Sequence, residues 1–262
     1  MAFNVEGIGK IICKIKGGDN NNEIIYLDTN FKKGISDKQK GLKKVNYFDS
    51  LKLPAESTFE QYPDTTRERD VGLVAGASGS GKSYYVNQYI KNYKKAYKNK
   101  RPIYFFSVLG EDKSIDEKIV KRVALNDSWK TEPLTIDDVK DCLVVFDDVE
   151  QIKDKAIKEQ VFKFINECLT TGRHTNTSVF LIVHYTNKPY IQSMLMECHT
   201  FTYFPRGSNR STNYAIENYI GIDKKEIKYI KTLETRWATI YKQFPNCVMT
   251  EKELFMLSNL DV

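Results

Sequence analysis

The stretch Gly76–Ser83 reads Gly-Ala-Ser-Gly-Ser-Gly-Lys-Ser. Glycines at both ends, followed by Lys-Ser, make a loop whose backbone N–H groups can converge on phosphate oxygens. The apolar run Val71–Ala75 before it has strand character. After it, Val86, Tyr89, Ile90, Tyr93 and Tyr97 recur at helical spacing. Strand, loop and helix in that order are the context such a loop needs. The helix N-terminus adds positive potential at the same point. The candidate phosphate-contacting set is Gly76, Ala77, Ser78, Gly79, Ser80, Gly81, Lys82, Ser83 and Tyr84. Lys82 is suited to the β- and γ-phosphates of ATP, and the Ser83 hydroxyl to Mg²⁺.

Around this loop the pattern alternates strand and helix from Arg67 onward, which implies a mainly parallel sheet flanked by helices. Expected strands are Val71–Ala75, Ile103–Val108, Cys142–Phe146, Ser178–Val183, His199–Phe204 and Trp237–Tyr241. Expected helices are Lys82 to about Lys98, Glu111–Val123, a strongly amphipathic one over Ala156–Leu169, and Asn213–Ile220. Another helix opens at the capping-box pair Asp223 and Glu226, and Gly172 is read as a helix stop.

Residues 1–66 differ in texture and are expected to form a β-hairpin extension and linker, with residues 67–262 as the ATPase domain. Lys10–Lys16 and Glu23–Leu27 read as strands joined by a Gly/Asn/Asp turn, Phe31–Val45 as a Lys-rich segment that is a solvated loop or else a contact for an acidic partner, and Pro54–Pro63 as a linker.

Composition sets outer bounds. The net charge of +6 permits an anionic partner without demanding one. Five cysteines, odd in number and without a C-x-x-C, suggest neither a zinc site nor a disulfide framework, and fit a reducing compartment. No apolar run approaches the ~18 residues of a membrane span, and no secretory signal pattern opens the chain.

Leu143–Asp148 is four apolar residues followed by two acids. An unbroken apolar run suits a central strand buried on both faces, and its carboxyl end is where such sheets place ligands. Asp147 is the candidate for holding Mg²⁺, and Asp148 for orienting or deprotonating the attacking water, with Glu150 as the alternative. Glu is usual at the second place, and Asp is one methylene shorter. A whole strand, Ile103–Val108, separates the loop strand from the acid strand in sequence. That insertion argues against small-GTPase and nucleotide-kinase layouts. It favours an α/β, RecA-like additional-strand P-loop NTPase with a small β-containing N-terminal extension.

His184 ends the next strand. There it can donate a hydrogen bond to a phosphate or water, or bond backbone at a strand exit. His174 and His199 have no metal-ligand spacing.

The segment Gly172-Arg-His-Thr-Asn-Thr-Ser-Val-Phe-Leu-Ile-Val-His184, downstream of the apolar-Asp-Asp run, resembles the DNA-packaging ATPases of large cytoplasmic DNA viruses and virophages. These are poxvirus-type enzymes of the FtsK–HerA group. The resemblance covers roughly Asp70–Phe204, and its phosphate loop is the most specific part. It implies a homo-oligomeric ring, acting in the host cytoplasm, that drives double-stranded DNA of any sequence into a preformed capsid. Capsid or portal-type vertex proteins are its implied partners. Members generally end the fourth strand in Gln, and His184 departs from that.

Ring motors also supply an arginine to a neighbour's γ-phosphate; Arg173, Arg206 and Arg210 are the candidates. Arg173 can instead interact with the carbonyl end of the preceding helix. Lys91, Lys94, Lys95 and Lys98 read as a solvated helix face rather than a DNA groove. Two rival functions stay open: a slow ATPase acting as a nucleotide-dependent assembly switch, and a helicase or AAA+ loader.

Overall fold

The computed structural model describes residues 2–30, 46–110, 112–242 and 246–257. The Lys-rich segment from Phe31 to Val45 and residue Glu111 lie outside the described residues.

Two sheets carry the chain. The first is antiparallel, built from β1 (Ala2–Asn4), β2 (Lys10–Lys16), β3 (Ile24–Asp28) and β5 (Thr58–Gln61) in the order β1-β3-β2-β5. The expected hairpin is therefore present as β2 and β3. The expected linker Pro54–Pro63 contains a strand: β5 pairs with β2, Phe59 opposite Ile15. Its alternation of half-buried Thr58 and Glu60 with buried Phe59 and Gln61 is a period-two pattern too short to stand out between two prolines. Between β3 and β5 lies β4 (Ser50–Lys52), which leaves the small sheet and joins the large one.

Among the described residues the large sheet has ten strands. β6 (Val71–Ala75) leads through the phosphate loop into α1 (Lys82–Ala96). β7 (Ile103–Ser107) and β8 (Lys121–Ala124) follow, then the short α2 (Ser128–Thr131). β9 (Leu143–Asp147), α3 (Lys155–Thr171), β10 (Ser178–Val183), α4 (Pro189–Glu197) and β11 (Thr200–Tyr203) complete the parallel half. α5 (Arg210–Ala215) runs into a π-turn at Ile216–Ile220. α6 (Lys224–Thr232) opens at the Asp223/Glu226 capping box. The antiparallel strands β12 (Ala238–Tyr241), β13 (Cys247–Thr250) and β14 (Glu253–Met256) follow.

The strand order is β4-β14-β13-β12-β11-β6-β10-β9-β7-β8. The phosphate-loop strand β6 and the acid strand β9 are thus separated by β10, the additional-strand layout that the sequence implies. β6, β9 and β10 are buried along their whole length, as parallel strands covered on both faces must be. α3, α4 and α6 cover one face, and α1 covers the other.

One further expectation fails. Residues 112–120 form turns rather than a helix, and Lys121–Ala124 is an edge strand parallel to β7. Its side chains are exposed or half-buried, so no apolar run marks it. Gly172 stops α3 as expected, with φ −57°, outside the left-handed region. A Cβ there would lie 2.3 Å from the Cys168 carbonyl oxygen and 2.6 Å from the Arg69 guanidinium, so close packing requires the glycine.

The small sheet packs on the antiparallel half of the large one. Phe3, Ile12, Ile15 and Phe59 share a core with Tyr241, Met249, Leu254 and Met256. The Tyr241 hydroxyl donates to the Ile12 carbonyl at 2.6 Å, and the Lys14 ammonium to Asn92 on α1 at 2.8 Å.

Candidate functional site

Parallel register brings the chemistry together. Ala75 of β6 lies opposite Val183 of β10, and Ile182 lies opposite Asp147 of β9. The carboxyl ends of three adjacent strands therefore deliver the phosphate loop, His184 and the two acids to one edge.

The loop closes on itself. The Gly76 N–H donates to the Val183 carbonyl at 3.1 Å. A Cβ on Gly76 would meet Phe204 Cδ2 and Ser80 Oγ, both at 2.7 Å. Gly81, the residue before α1, has φ 102°, which strongly favours glycine. Ala77, Ser78, Gly79 and Tyr84 are exposed; Ser83 is half-buried in the first turn of α1. The Ser80 hydroxyl is buried without a hydrogen-bond partner.

Lys82 is only 7% exposed. Its ammonium donates to the carbonyls of Gly76 and Ala77 at 2.9 and 3.0 Å and faces His184 Nδ1 at 3.5 Å. Burial pulls its pKa down, while Asp148, Asp147 and Glu150 push it back up.

The Asp147 carboxyl is buried, and burial together with Asp148 and Asp112 pushes its pKa up to about 7. Asp148 sits in the left-handed region at φ 53° at the head of a 3-10 turn, Val149–Gln151. Its Oδ1 lies 2.8 Å from His184 Nε2. A carboxylate at Nε2 and an ammonium at Nδ1 together select the Nε2–H tautomer of His184. The ring thus spans from the loop lysine to the second acid. The backbone-bonded reading of His184 does not describe its ring. Its own N–H donates to Glu150 Oε1 at 3.0 Å, leaving Glu150 Oε2 buried and unpartnered.

The arginines divide by position. Arg206 lies in a 3-10 turn directly after β11, and Arg210 opens α5; both are exposed near the carboxyl edge of the parallel strands. Arg173 precedes β10 and lies at the opposite edge. His199 Nδ1 accepts the Val71 N–H at 3.2 Å, and burial lowers its pKa to about 3, so it is a neutral structural acceptor.

Three participants escaped the sequence. Ser107, buried, sits opposite Asp147 in the β7–β9 register. Asp112 adds negative charge to Asp147 through space. Phe204 walls the loop beside Gly76. Their signal is tertiary register, which no local pattern encodes.

These residues fit a nucleotide and a divalent cation. Gly76 is a cradle that a side chain would fill, Ser80 offers an unused buried hydroxyl, and Asp147 is a carboxyl whose ionisation its acidic neighbours oppose. Among the described residues no three His, Cys, Asp or Glu side chains form a metal cage. Magnesium in phosphate sites takes one or two protein ligands and completes its shell with phosphate and water.

No family model matches the chain. In solved structures, it resembles the cytoplasmic domain of the Thermomonospora curvata type VII secretion ATPase EccC. The TM-score is 0.51 at 10% identity, covering 81% of this chain and 29% of that one. It is also similar to the genome packaging NTPase B204 of Sulfolobus turreted icosahedral virus 2, with TM-score 0.46 and 16% identity over 71% of this chain and 98% of that one. In sequence it is 32% identical over 253 residues to the uncharacterized protein V3 of Sputnik virophage, covering 95% of this chain and 96% of that protein. With a relative that close over nearly its whole length, the chain, an α/β protein of P-loop NTPase fold, belongs to the family of the Sputnik virophage protein V3.

Proposed function

We propose that the chain is a magnesium-dependent ATPase that works as a ring motor, moving double-stranded viral DNA into a preformed capsid. The observation that carries the ATPase reading is the convergence at one sheet edge of Lys82, Asp147 and the Asp148–His184 pair, held by β6, β9 and β10. The DNA-packaging reading rests on the family resemblance of the Gly172–His184 segment and on membership in a virophage protein family. In this reading residues 67–262 are the motor domain and 1–66 an extension fastened to it, and the protein works in the host cytoplasm with capsid or vertex proteins as partners.

Gly76–Tyr84 bind the triphosphate of ATP, and Ser83 with Asp147 hold Mg²⁺, which neutralises phosphate charge. Lys82 leaves its loop carbonyls for the phosphates. Asp148, or Glu150 beside it, orients the attacking water and takes its proton. His184 fixes Asp148 and senses Lys82 leaving. Arg206 or Arg210 reaches the neighbouring subunit's site; Arg173, at the far edge, could do so only from a subunit stacked in the other direction.

ATP turnover measured with and without duplex DNA of arbitrary sequence tests this. Turnover is expected to need Lys82, to rise with duplex and to depend on protein concentration. Mixing Lys82→Ala with Arg206→Ala or Arg210→Ala should restore activity. Turnover indifferent to DNA and protein concentration would leave the assembly-switch reading in place of the motor; stimulation by forks above plain duplex would favour a helicase.

A further inference from the structure

Residues 204–237 leave the large sheet after β11 and return to it at β12, at the same edge as the phosphate loop. α5 and α6 in this excursion enclose an open groove of about 530 Å³. Its lining is cationic: Arg210 from α5, and Lys224, Lys228 and Lys231 from α6. The three lysines fall at i, i+4 and i+7, one exposed face of the helix; Ile227, buried beside them, lies at the groove floor, and Ile230 is buried further round the helix. Lys224 is 3.6 Å from Glu217, the groove's one carboxylate. Lys228 and Lys231 have no carboxylate partner among the described residues. Asn213 and Tyr214 add neutral donors to the wall, and Tyr214 is 58% exposed.

We propose that this groove holds the phosphate backbone of duplex DNA, with Lys224, Lys228 and Lys231 as its cationic stripe. The proposal deepens the motor reading and rests on it for the choice of polyanion. Three points favour a nucleic-acid backbone over a protein partner. The stripe carries charge without an exposed aliphatic anchor. It runs ~10 Å along the helix, over which one strand of a duplex presents about three phosphates along its axis. Lysine, arginine, asparagine and tyrosine are also the side chains that contact phosphates without reading bases.

The groove is also wired to the site. Thr186, buried two residues beyond His184, donates its hydroxyl to Ser211 Oγ at 3.4 Å, and Ser211 follows Arg210 at the start of α5. A shift of the strand exit that carries His184 would therefore be felt at the groove wall. Each turnover then has a direct route to the bound strand.

The test uses the full chain, a short labelled duplex of arbitrary sequence, and anisotropy over a series of salt concentrations. Lys228→Glu with Lys231→Glu changes two exposed positions. Affinity is expected to fall at least about tenfold, and the slope of log K against log salt by about two. DNA stimulation of turnover should disappear while DNA-free turnover stays at the wild-type rate. Lys95→Glu with Lys98→Glu makes the same charge change at the end of α1 and should leave both readings unchanged. Wild-type affinity and slope in the groove variant, or an equal loss in the α1 variant, would overturn the proposal. So would competition by polyglutamate as effective as by unlabelled duplex. DNA-free turnover reports on the motor reading separately: its absence in the wild type, with duplex binding still lost in the groove variant, would sink the ATPase and leave the groove.

Discussion

His184 holds Asp148 through its ring, Nε2 to Oδ1 at 2.8 Å, and holds Glu150 through its backbone, N–H to Oε1 at 3.0 Å. One residue thus positions both carboxylates that could handle water. His184→Ala should lower kcat by about 10²-fold, with KM for ATP changed far less, because the loop backbone and the contacts of Lys82 to the Gly76 and Ala77 carbonyls remain. His184→Gln keeps an amide donor for Asp148 and should recover much of the rate. Unchanged kcat in the alanine variant would show that Asp148 needs no such anchor.

The two carboxylates can be separated by their amides. Asp148→Asn should bind nucleotide normally and lose turnover by about 10²- to 10⁴-fold. Glu150→Gln should cost less, since its Oε1 only receives the His184 N–H. The reverse order would assign the water to the unpartnered Glu150 Oε2 instead.

With Asp147 as the proposed Mg²⁺ ligand, nucleotide binding should depend on pH. The Asp147 pKa of about 7 in the metal-free protein means that magnesium must displace a proton below that pH. Mg²⁺-dependent ATP affinity, followed by titration calorimetry, should weaken as pH falls from 8 to 6. The stability effect has the opposite sign. A folded pKa above the unfolded value of 3.8 stabilises the fold below pH 3.8, and that contribution is lost as pH rises through 7. Asp147→Asn should therefore raise the metal-free Tm at pH 8 and change it little near pH 4. Equal Tm shifts at both would deny the perturbed carboxyl.

Packing beneath the loop gives a prediction free of catalysis. A Cβ on Gly72 would stand 2.5 Å from Phe180 Cζ, and the Phe180 ring stacks on Tyr89 at 4.0 Å. Tyr89 in turn donates to Asp70 at 2.8 Å, so the ring has little room to retreat. Gly72→Ala should destabilise by about 1–3 kcal/mol in urea unfolding. Adding Phe180→Leu should recover part of the loss; an additive result would mean that the two positions do not compete for space.

What was legible in the sequence was local. Val71–Ala75 was delimited to the residue because an apolar run meets a glycine loop, and the Asp223/Glu226 box named its own helix start. α4 escaped because Ile191, Met194 and Leu195 make too short a stripe. β13 and β14 escaped because each is only four residues long, with a polar end at the turn, Thr250 and Glu253. β8 was hidden by half-exposed side chains. At the site, the motif residues could be named from spacing. The His184 bridge could not, because it depends on β10 lying between β6 and β9, a register that long-range packing decides.

Strand β4 pairs with β14, Leu51 opposite Leu254, and the Lys252 ammonium caps the carbonyls of Pro54, Ala55 and Ser57, in one case across 195 positions. On the ribosome these partners emerge in the wrong order. At ~5–20 residues per second, β4 waits roughly tens of seconds for the strand it needs. The phosphate-loop half can assemble meanwhile, since β6 to β11 are synthesised consecutively. The β13–β14 hairpin, made late, is then the piece that fastens β4 down. A nascent chain halted before residue 246 would carry a finished phosphate-loop edge beside a bare β12, a template for pairing with any neighbouring chain.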